Sequence, residues 1–344
     1  MARELKTGVA YHSNRILEHV REDMRELSRA DMDIVVHMFS HNDWDRHTKV
    51  MKDVFAISED AGLEVWVDNW GLGGTPGDKS HFLAYYPDAH MYYNNGKMHP
   101  THVCLNSPDY RKFVKDWLDT VAEIGGKTIF WDEPHFPYSS KEQAFTCCCP
   151  RCKKMFEEKY GKPMPSIITP EVDEFRTETL VSYFGEITAY AESLGLKNAV
   201  CVMLHENIGI NLNTMDKICS LPSLHNVGSD PYRHGTGVPA YKYVYDGAKK
   251  NLEISTQYKK EHNVWIQAYG TPKGEEDEII EATEAAYDAG ARTIIAWGYR
   301  CGESNDYRAE NPDRAWQATK EAFKRIRAME HDRILAENRA KYMK

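Results

Sequence analysis

Cys147, Cys149 and Cys152 spell C-x-C-x-x-C, the densest group of chemically capable side chains in the chain. Thiolates this closely spaced chelate a tetrahedral zinc ion once a fourth ligand arrives from elsewhere. Cys104 can supply it, because it lies just ahead of a helix opening at Ser107-Pro108-Asp109-Tyr110, in the loop preceding the one that holds the triplet. Cys148 is then a bystander, Cys201 and Cys219 read as small buried residues, and Cys301 has no base beside it. The competing reading, a cluster of unligated thiols, is weakened by the ease with which packed exposed thiols oxidise.

Carboxylates and aromatic rings form the second constellation. Asp132-Glu133 follows the apolar run Thr128–Trp131, and Asp68-Asn69-Trp70 follows Leu63–Val67. Further along come His205-Glu206-Asn207, Asp230-Pro231-Tyr232-Arg233, Gln267-Ala268-Tyr269 and Trp297-Gly298-Tyr299-Arg300, with Tyr11-His12-Ser13 near the start. Flat aromatic faces stack on the CH faces of sugar rings, and carboxylates accept bonds from hydroxyls. The candidates for catalysis are therefore Glu133, Asp132 and Asp230. Those for binding a small carbohydrate are Tyr11, Asp68, Trp70, His205, Glu206, Tyr232, Gln267, Trp297 and Arg300. The bland alternatives are that aromatic strand ends plug a barrel mouth, that Asp68 and Asp230 only bind hydroxyls, and that Glu206 caps a helix.

These residues need elements that bring them to one rim. Eight short apolar runs read as strands: Thr7–Tyr11, Ile34–Phe39, Leu63–Asp68, Thr128–Trp131, Ala199–Leu204, Asn226–Ser229, Val264–Ala268 and Thr293–Trp297. Most are apolar throughout, as expected for a parallel sheet buried on both faces. Between them run helical stripes such as Leu17, Val20, Met24 and Leu27, or Phe113, Trp117 and Val121. Gly62, Gly125 and Gly290 stop helices ahead of strands, and Asn311-Pro312 opens the last one. The pattern predicts a single (β/α)8 TIM barrel over residues 1–344, with an enlarged loop after the fourth strand holding the four-cysteine zinc site. In such a barrel chemistry sits where strands end. The glycine-rich loop Gly71–Gly77 lacks both the Walker ending and dinucleotide spacing, and reads as a rim loop.

Composition excludes other classes. Across 344 residues the net charge is -9, with no Lys/Arg stripe, which argues against a nucleic-acid partner. No apolar run of about 18 residues marks a membrane span, and the N-terminus has no signal-peptide core. A reduced, cytoplasmic setting is expected, in which the eight cysteines are thiols or metal ligands. Nothing weighs against a homo-oligomer.

Cys104, Asn106–Arg111, the cysteine triplet, and Phe156 with Tyr160-Gly161 together resemble the zinc-bearing β-galactosidases of glycoside hydrolase family 42. The specific part covers roughly residues 100 to 161. The resemblance implies a structural zinc, a retaining barrel, and the acid/base role on Glu133, where the family has Asn-Glu and this chain Asp132-Glu133. It also implies a seventh-strand glutamate as nucleophile, but the seventh strand here reads Val264-Trp265-Ile266-Gln267-Ala268-Tyr269. Glutamine cannot form a glycosyl ester, so β-galactosidase activity is not expected. Alternation along the fourth strand would point Asp132 and Glu133 in different directions. Asp132 with Asp230 therefore stays open as a pair, after the pattern of α-glycosidase barrels. The function expected is glycoside hydrolysis. The alternatives are a metal-dependent sugar isomerase or lyase, suggested by His12, His37, His41, His135, His205 and His234, and a sugar-binding barrel without catalysis, suggested by Gln267.

Overall fold

The computed structural model describes residues 5–12, 14–74 and 80–342; Ser13 and the end of the glycine-rich loop lie outside the described residues. The strands are β1 (Lys6–Tyr11), β2 (Ile34–Met38), β3 (Glu64–Asp68), β4 (His90–Tyr92), β5 (Met98–Val103), β6 (Thr128–Trp131), β7 (Tyr138–Ser139), β8 (Ala144–Phe145), β9 (Lys197–Cys201), β10 (Asn226–Ser229), β11 (Glu261–Gln267) and β12 (Thr293–Trp297). Eight of them close a barrel in the order β1-β12-β11-β10-β9-β6-β3-β2, while β4-β5 and β7-β8 are two-stranded hairpins. The helices are α1 (Leu17–Arg29), α2 (His41–Asp60), α3 (Phe82–Tyr85), α4 (Pro108–Glu123), α5 (Pro150–Tyr160), α6 (Pro170–Ser193), α7 (Leu212–Cys219), α8 (Ala240–Gln257), α9 (Glu278–Asp288) and α10 (Pro312–Tyr342). This is the expected (β/α)8 architecture.

The eight predicted barrel strands sit where the apolar runs placed them. Ala199–Leu204 is the largest displacement: β9 starts at Lys197 and ends at Cys201. The two hairpins escaped notice because their short strands mix polar and apolar residues, as in Met98-His-Pro-Thr-His-Val103. Gly62, Gly125 and Gly290 all take positive φ, of 85°, 101° and 109°. Each ends a helix in the left-handed region, where a side chain is strained, and so turns the chain into the next strand.

The chain divides into two compact units. One comprises Met1–His37, Asp53–Val65 and Gly228–Lys344, the other Met38–Lys52 and Trp66–Val227. In the first, Trp265 and Trp297 pack with ring centroids 5.4 Å apart, and fully buried Tyr11 meets the edge of His37 at 5.4 Å. In the second, Trp117 donates its indole N–H to the Phe39 carbonyl, and Trp131 donates to Asn198. Indoles buried with their polar atom satisfied add apolar area without an orphaned donor. Gly8 is required on β1, because a Cβ there would lie 2.6 Å from the Ile34 carbonyl oxygen of β2. Among the described residues no helix is long and apolar enough to cross a membrane.

Candidate functional site

The cysteine cluster is assembled by two segments. Cys104 follows β5, where its N–H donates to the Ala89 carbonyl. Cys147, Cys149 and Cys152 lead from β8 into α5, whose N-cap is Cys149 and whose first residue is Pro150. Ligand sulfurs of Cys104, Cys147, Cys149 and Cys152 all lie within 4.8 Å of one another, and all four residues are buried. Cys104 Sγ is 3.5 Å from Cys152 Sγ and 3.6 Å from Cys149 Sγ. Four thiolates about 2.3 Å from a tetrahedral zinc stand about 3.8 Å apart, so the spacing fits a metal ion with a small expansion. Cys149 is held in the thiolate direction by hydrogen bonds from the Cys104, Cys147 and Cys152 thiols, while burial pushes Cys147 up. The Cys152 N–H adds a further bond to Cys149 Sγ at the helix N-terminus, and the Asn106 amide donates to Cys152 Sγ. Donors of this kind orient metal ligands from behind. Cys148, the expected bystander, stands outside the ligand group.

The ends of β3 and β6 carry the acidic residues. The strand pairing of β6 stops at Trp131, and Glu133 has φ 37°, so simple alternation does not govern where Asp132 and Glu133 point. This corrects the sequence expectation. A left-handed glutamate is costly unless its surroundings hold it, and such residues cluster at functional sites. The Asp132 N–H donates to the Asn69 side chain. Glu133 Oε2 lies 3.4 Å from His135 Nε2, with the glutamate side chain 21% exposed and the histidine 8%.

Asp68 is fully buried at the end of β3. Its Oδ1 accepts the Trp70 N–H at 3.0 Å, whereas Oδ2 has no hydrogen-bond partner. Burial above all, then the nearby Glu133 charge, raise its pKa well above the ordinary aspartate value, against the Trp70 bond that lowers it. Trp70 itself is half-buried. His205 and Glu206 are exposed in the loop after β9, with His205 3.3 Å from the Asn207 amide nitrogen. Glu206 lines an open cleft of about 430 Å³ with Asp173, Arg176, Asn207 and Asn211. Buried Arg176 on α6 ties loops together there, donating to the carbonyls of Thr146 and Ile208.

The other candidates belong to the first unit. Gln267, at the end of β11, accepts the His234 N–H at 3.1 Å. The Asp230 carbonyl accepts the Tyr232 N–H, and the Tyr232 ring meets Tyr269 edge-on at 5.5 Å. Trp297 packs on His12 at 5.7 Å. Tyr11 is turned inward, donating its hydroxyl to Asp23 of α1, which also accepts from Tyr299. Arg300 pairs with Glu26 of the same helix. Tyr299, Arg300 and Asp23 border a second open cleft of about 420 Å³, with His19 and Glu22. Neither cleft includes Asp68 or Glu133 in its lining.

The histidines named as candidate metal ligands scatter. His37 is enclosed in the core, bonded to Ser58, and burial pushes its pKa down to about 3. His234 meets Glu275 and Glu278, but Arg233 already pairs with both carboxylates. Sequence reading missed Asp23 and Glu26, which lie on a helix and not at a strand end. It also missed the histidines of the β4-β5 hairpin. There His102 stacks edge-on against His99 at 4.1 Å, and burial, with the charges of His99 and His135, pushes its pKa to about 3. The density of histidine between residues 90 and 102 was the available signal.

No protein-family model and no curated protein sequence matches the chain. Solved structures match its fold. The catalytic domain of a β-amylase from Paenibacillus polymyxa superimposes with TM-score 0.67 at 11% identity, covering 94% of this chain and 98% of that one. Gan42B, a GH42 β-galactosidase from G. stearothermophilus, gives TM-score 0.69 at 13% identity over 96% of this chain and 57% of that one. A D-psicose 3-epimerase from Clostridium cellulolyticum H10 gives 0.52 at 13%, over 94% and 99%. At these identities the likeness is one of fold.

Proposed function

We propose that this barrel is a carbohydrate-active enzyme that hydrolyses the glycosidic bond of a small glycoside or oligosaccharide, with Glu133 as proton donor. The observation that carries the reading is the Glu133–His135 contact. His135 Nδ1 lies 3.1 Å from the Phe136 carbonyl, which can only accept, so Nδ1 keeps its proton. In the neutral ring Nε2 is then an acceptor, and one further proton on either partner would turn its 3.4 Å approach to Glu133 into a hydrogen bond. That proton rests on the glutamic acid or makes the pair an imidazolium carboxylate. In either case one mobile proton is held where a leaving oxygen could receive it, which is what general-acid cleavage needs. Asp68, fully enclosed and kept towards its neutral form, acts through Glu133 as a positioning residue. Asp132 is the candidate for the ionised partner that assists water or the anomeric carbon. The β-amylase, mannanase and β-galactosidase among the barrels of like fold favour glycoside chemistry, and the sequence resemblance puts the acid/base role on Glu133.

In this reading the four cysteines hold a structural zinc, closed to substrate by four thiolates and bracing the loop after β6. Gln267 binds a sugar hydroxyl, since it offers hydrogen bonds and no nucleophile. The epimerases of like fold favour the isomerase alternative. The β-amylase, mannanase and β-galactosidase of like fold, with the resemblance around residues 100–161, rank hydrolysis first.

The test is a leaving-group series with Glu133→Gln. Glycosides with poor leaving groups should lose about 10²- to 10⁴-fold in kcat, the usual worth of a general acid, while activated aryl glycosides are partly spared. Asp132→Asn separates the alternative, because loss of a nucleophile abolishes both substrate types. Wild-type rates on both types in the Glu133 variant would refute the assignment.

A further inference from the structure

A second set of metal-ligating side chains meets at the start of α2, next to the end of β3, where the His41 N–H donates to the Gly71 carbonyl. His41 and Asp45 stand four residues apart on that helix, a spacing that places both on one face. His81, immediately ahead of α3, lies against them, its ring stacked on that of His41 with centroids 3.7 Å apart and planes 14° apart. Asp45 is the shared neighbour, with Oδ2 2.8 Å from His81 Nε2 and Oδ1 3.8 Å from His41 Nε2. One ligand atom from each of the three lies within 4.8 Å of the other two.

The surroundings orient these atoms for a cation. His41 Nδ1 is engaged by Ser80 Oγ at 2.8 Å, and that oxygen also accepts the Phe82 N–H. In the tautomer whose Nδ1 donates to Ser80, the Nε2 lone pair of His41 is on the side of Asp45, the outer-sphere arrangement that fixes a ligating histidine. Phe113 meets the His41 ring edge-on at 4.6 Å, and Trp44 lies 6.1 Å away, so His41 cannot swing aside. His81 and Asp45 remain open to solvent, with side chains 41% and 47% exposed. One ligand is therefore rigid and two are adjustable, with an entry path for the ion.

We propose that His41, Asp45 and His81 form a second metal site, which binds one borderline divalent transition ion such as zinc through two imidazole nitrogens and one carboxylate. Two imidazoles and a carboxylate suit zinc and its neighbours rather than magnesium or calcium, which take oxygen ligands. Three protein ligands leave a tetrahedral ion one position for water, unlike the closed four-thiolate site. The ion would tie the start of α2 to the segment entering α3. The exposed His81 ring must turn out of the stack to share the ion with the fixed His41. Binding replaces the His81–Asp45 hydrogen bond with two metal bonds, and the proton on His81 Nε2 moves to Nδ1, leaving Nε2 as the ligand.

Calorimetric titration of the full-length chain with zinc chloride, after the thiolate site is filled, tests the proposal. A second equivalent should bind, more weakly than the first. It should persist in Cys147→Ser, which lacks a thiolate ligand. His81→Ala and Asp45→Asn change exposed side chains, and each should weaken that equivalent by more than the roughly 10- to 100-fold typical of an outer-sphere loss. A thermal melt of each variant without added metal should match the wild type, showing that the fold is intact. The proposal is overturned if the wild type takes up no zinc beyond the thiolate-bound ion. It is equally overturned if the second equivalent binds both variants with wild-type affinity, which would locate the ion elsewhere, for instance at His234, Glu275 and Glu278.

Discussion

Replacing Cys104 with serine should sever a cross-link rather than delete a catalytic group. Cys104 comes from the segment after β5 and its partners from the lead into α5, 45 residues separating it from Cys149. A metal ion shared with Cys104 closes that loop, and for a link that persists on unfolding the stabilisation is the loop-closure entropy. In the loop-closure treatment used for covalent cross-links, a loop of that length is worth about 4 kcal/mol at 25 °C. Spread over the unfolding entropy of a 344-residue chain, this lowers the melting temperature by roughly 5–6 °C. Two measurements together make the assay: metal content of protein purified without chelators, and melting temperature with and without a zinc chelator. The wild type should carry about one tightly held zinc per chain. Chelation should drop its melting temperature to that of Cys104→Ser, and the variant should not respond to the chelator. The reasoning is refuted if the wild type holds no thiolate-bound zinc, or if chelation leaves its melting temperature unchanged.

The Asp68→Asn variant should have a flatter dependence of stability on pH. Burial raises the Asp68 pKa in the folded chain, so its contribution is fully present below the ordinary aspartate range and is lost as pH rises through the folded value. Urea midpoints at about pH 5 and pH 8 should show the variant gaining on the wild type at the higher pH, and an equal difference at both would count against the assignment. Gln267→Ala should weaken substrate binding more than turnover, because it removes a hydrogen bond and no nucleophile. A loss of about three orders of magnitude in kcat would mean that the seventh strand carries essential chemistry. Ordinary β-galactosides should be turned over negligibly; efficient retaining hydrolysis with an adduct on that strand would redirect attention to Glu275 and Glu276.

Much of this architecture could be read without coordinates. Apolar runs of four to six residues between amphipathic stripes are enough to specify a barrel, because burial on both faces leaves no polar alternation to misread. The C-x-C-x-x-C triplet and Cys104 were equally legible, since ligand spacing is local and Ser107-Pro108 announces the helix that orients the fourth thiol. Glu133 was visible as a carboxylate at a strand end. Its left-handed backbone and its approach to His135 were not, because a φ of 37° and a 3.4 Å contact depend on how the chain leaves β6. The ionisation of Asp68 is likewise a property of enclosure: the same aspartate in solvent would be an ordinary acid. Tertiary packing also separated histidines that look alike in the sequence, sealing His37 in the core with Ser58 and stacking His41 on His81. The sequence by itself determined which elements form and which side chains end them. Only the folded chain decided which of those side chains lose water or meet another charge, because the enclosure of Asp68 beside Glu133 and the stacking of His41 on His81 depend on neighbours tens of residues away.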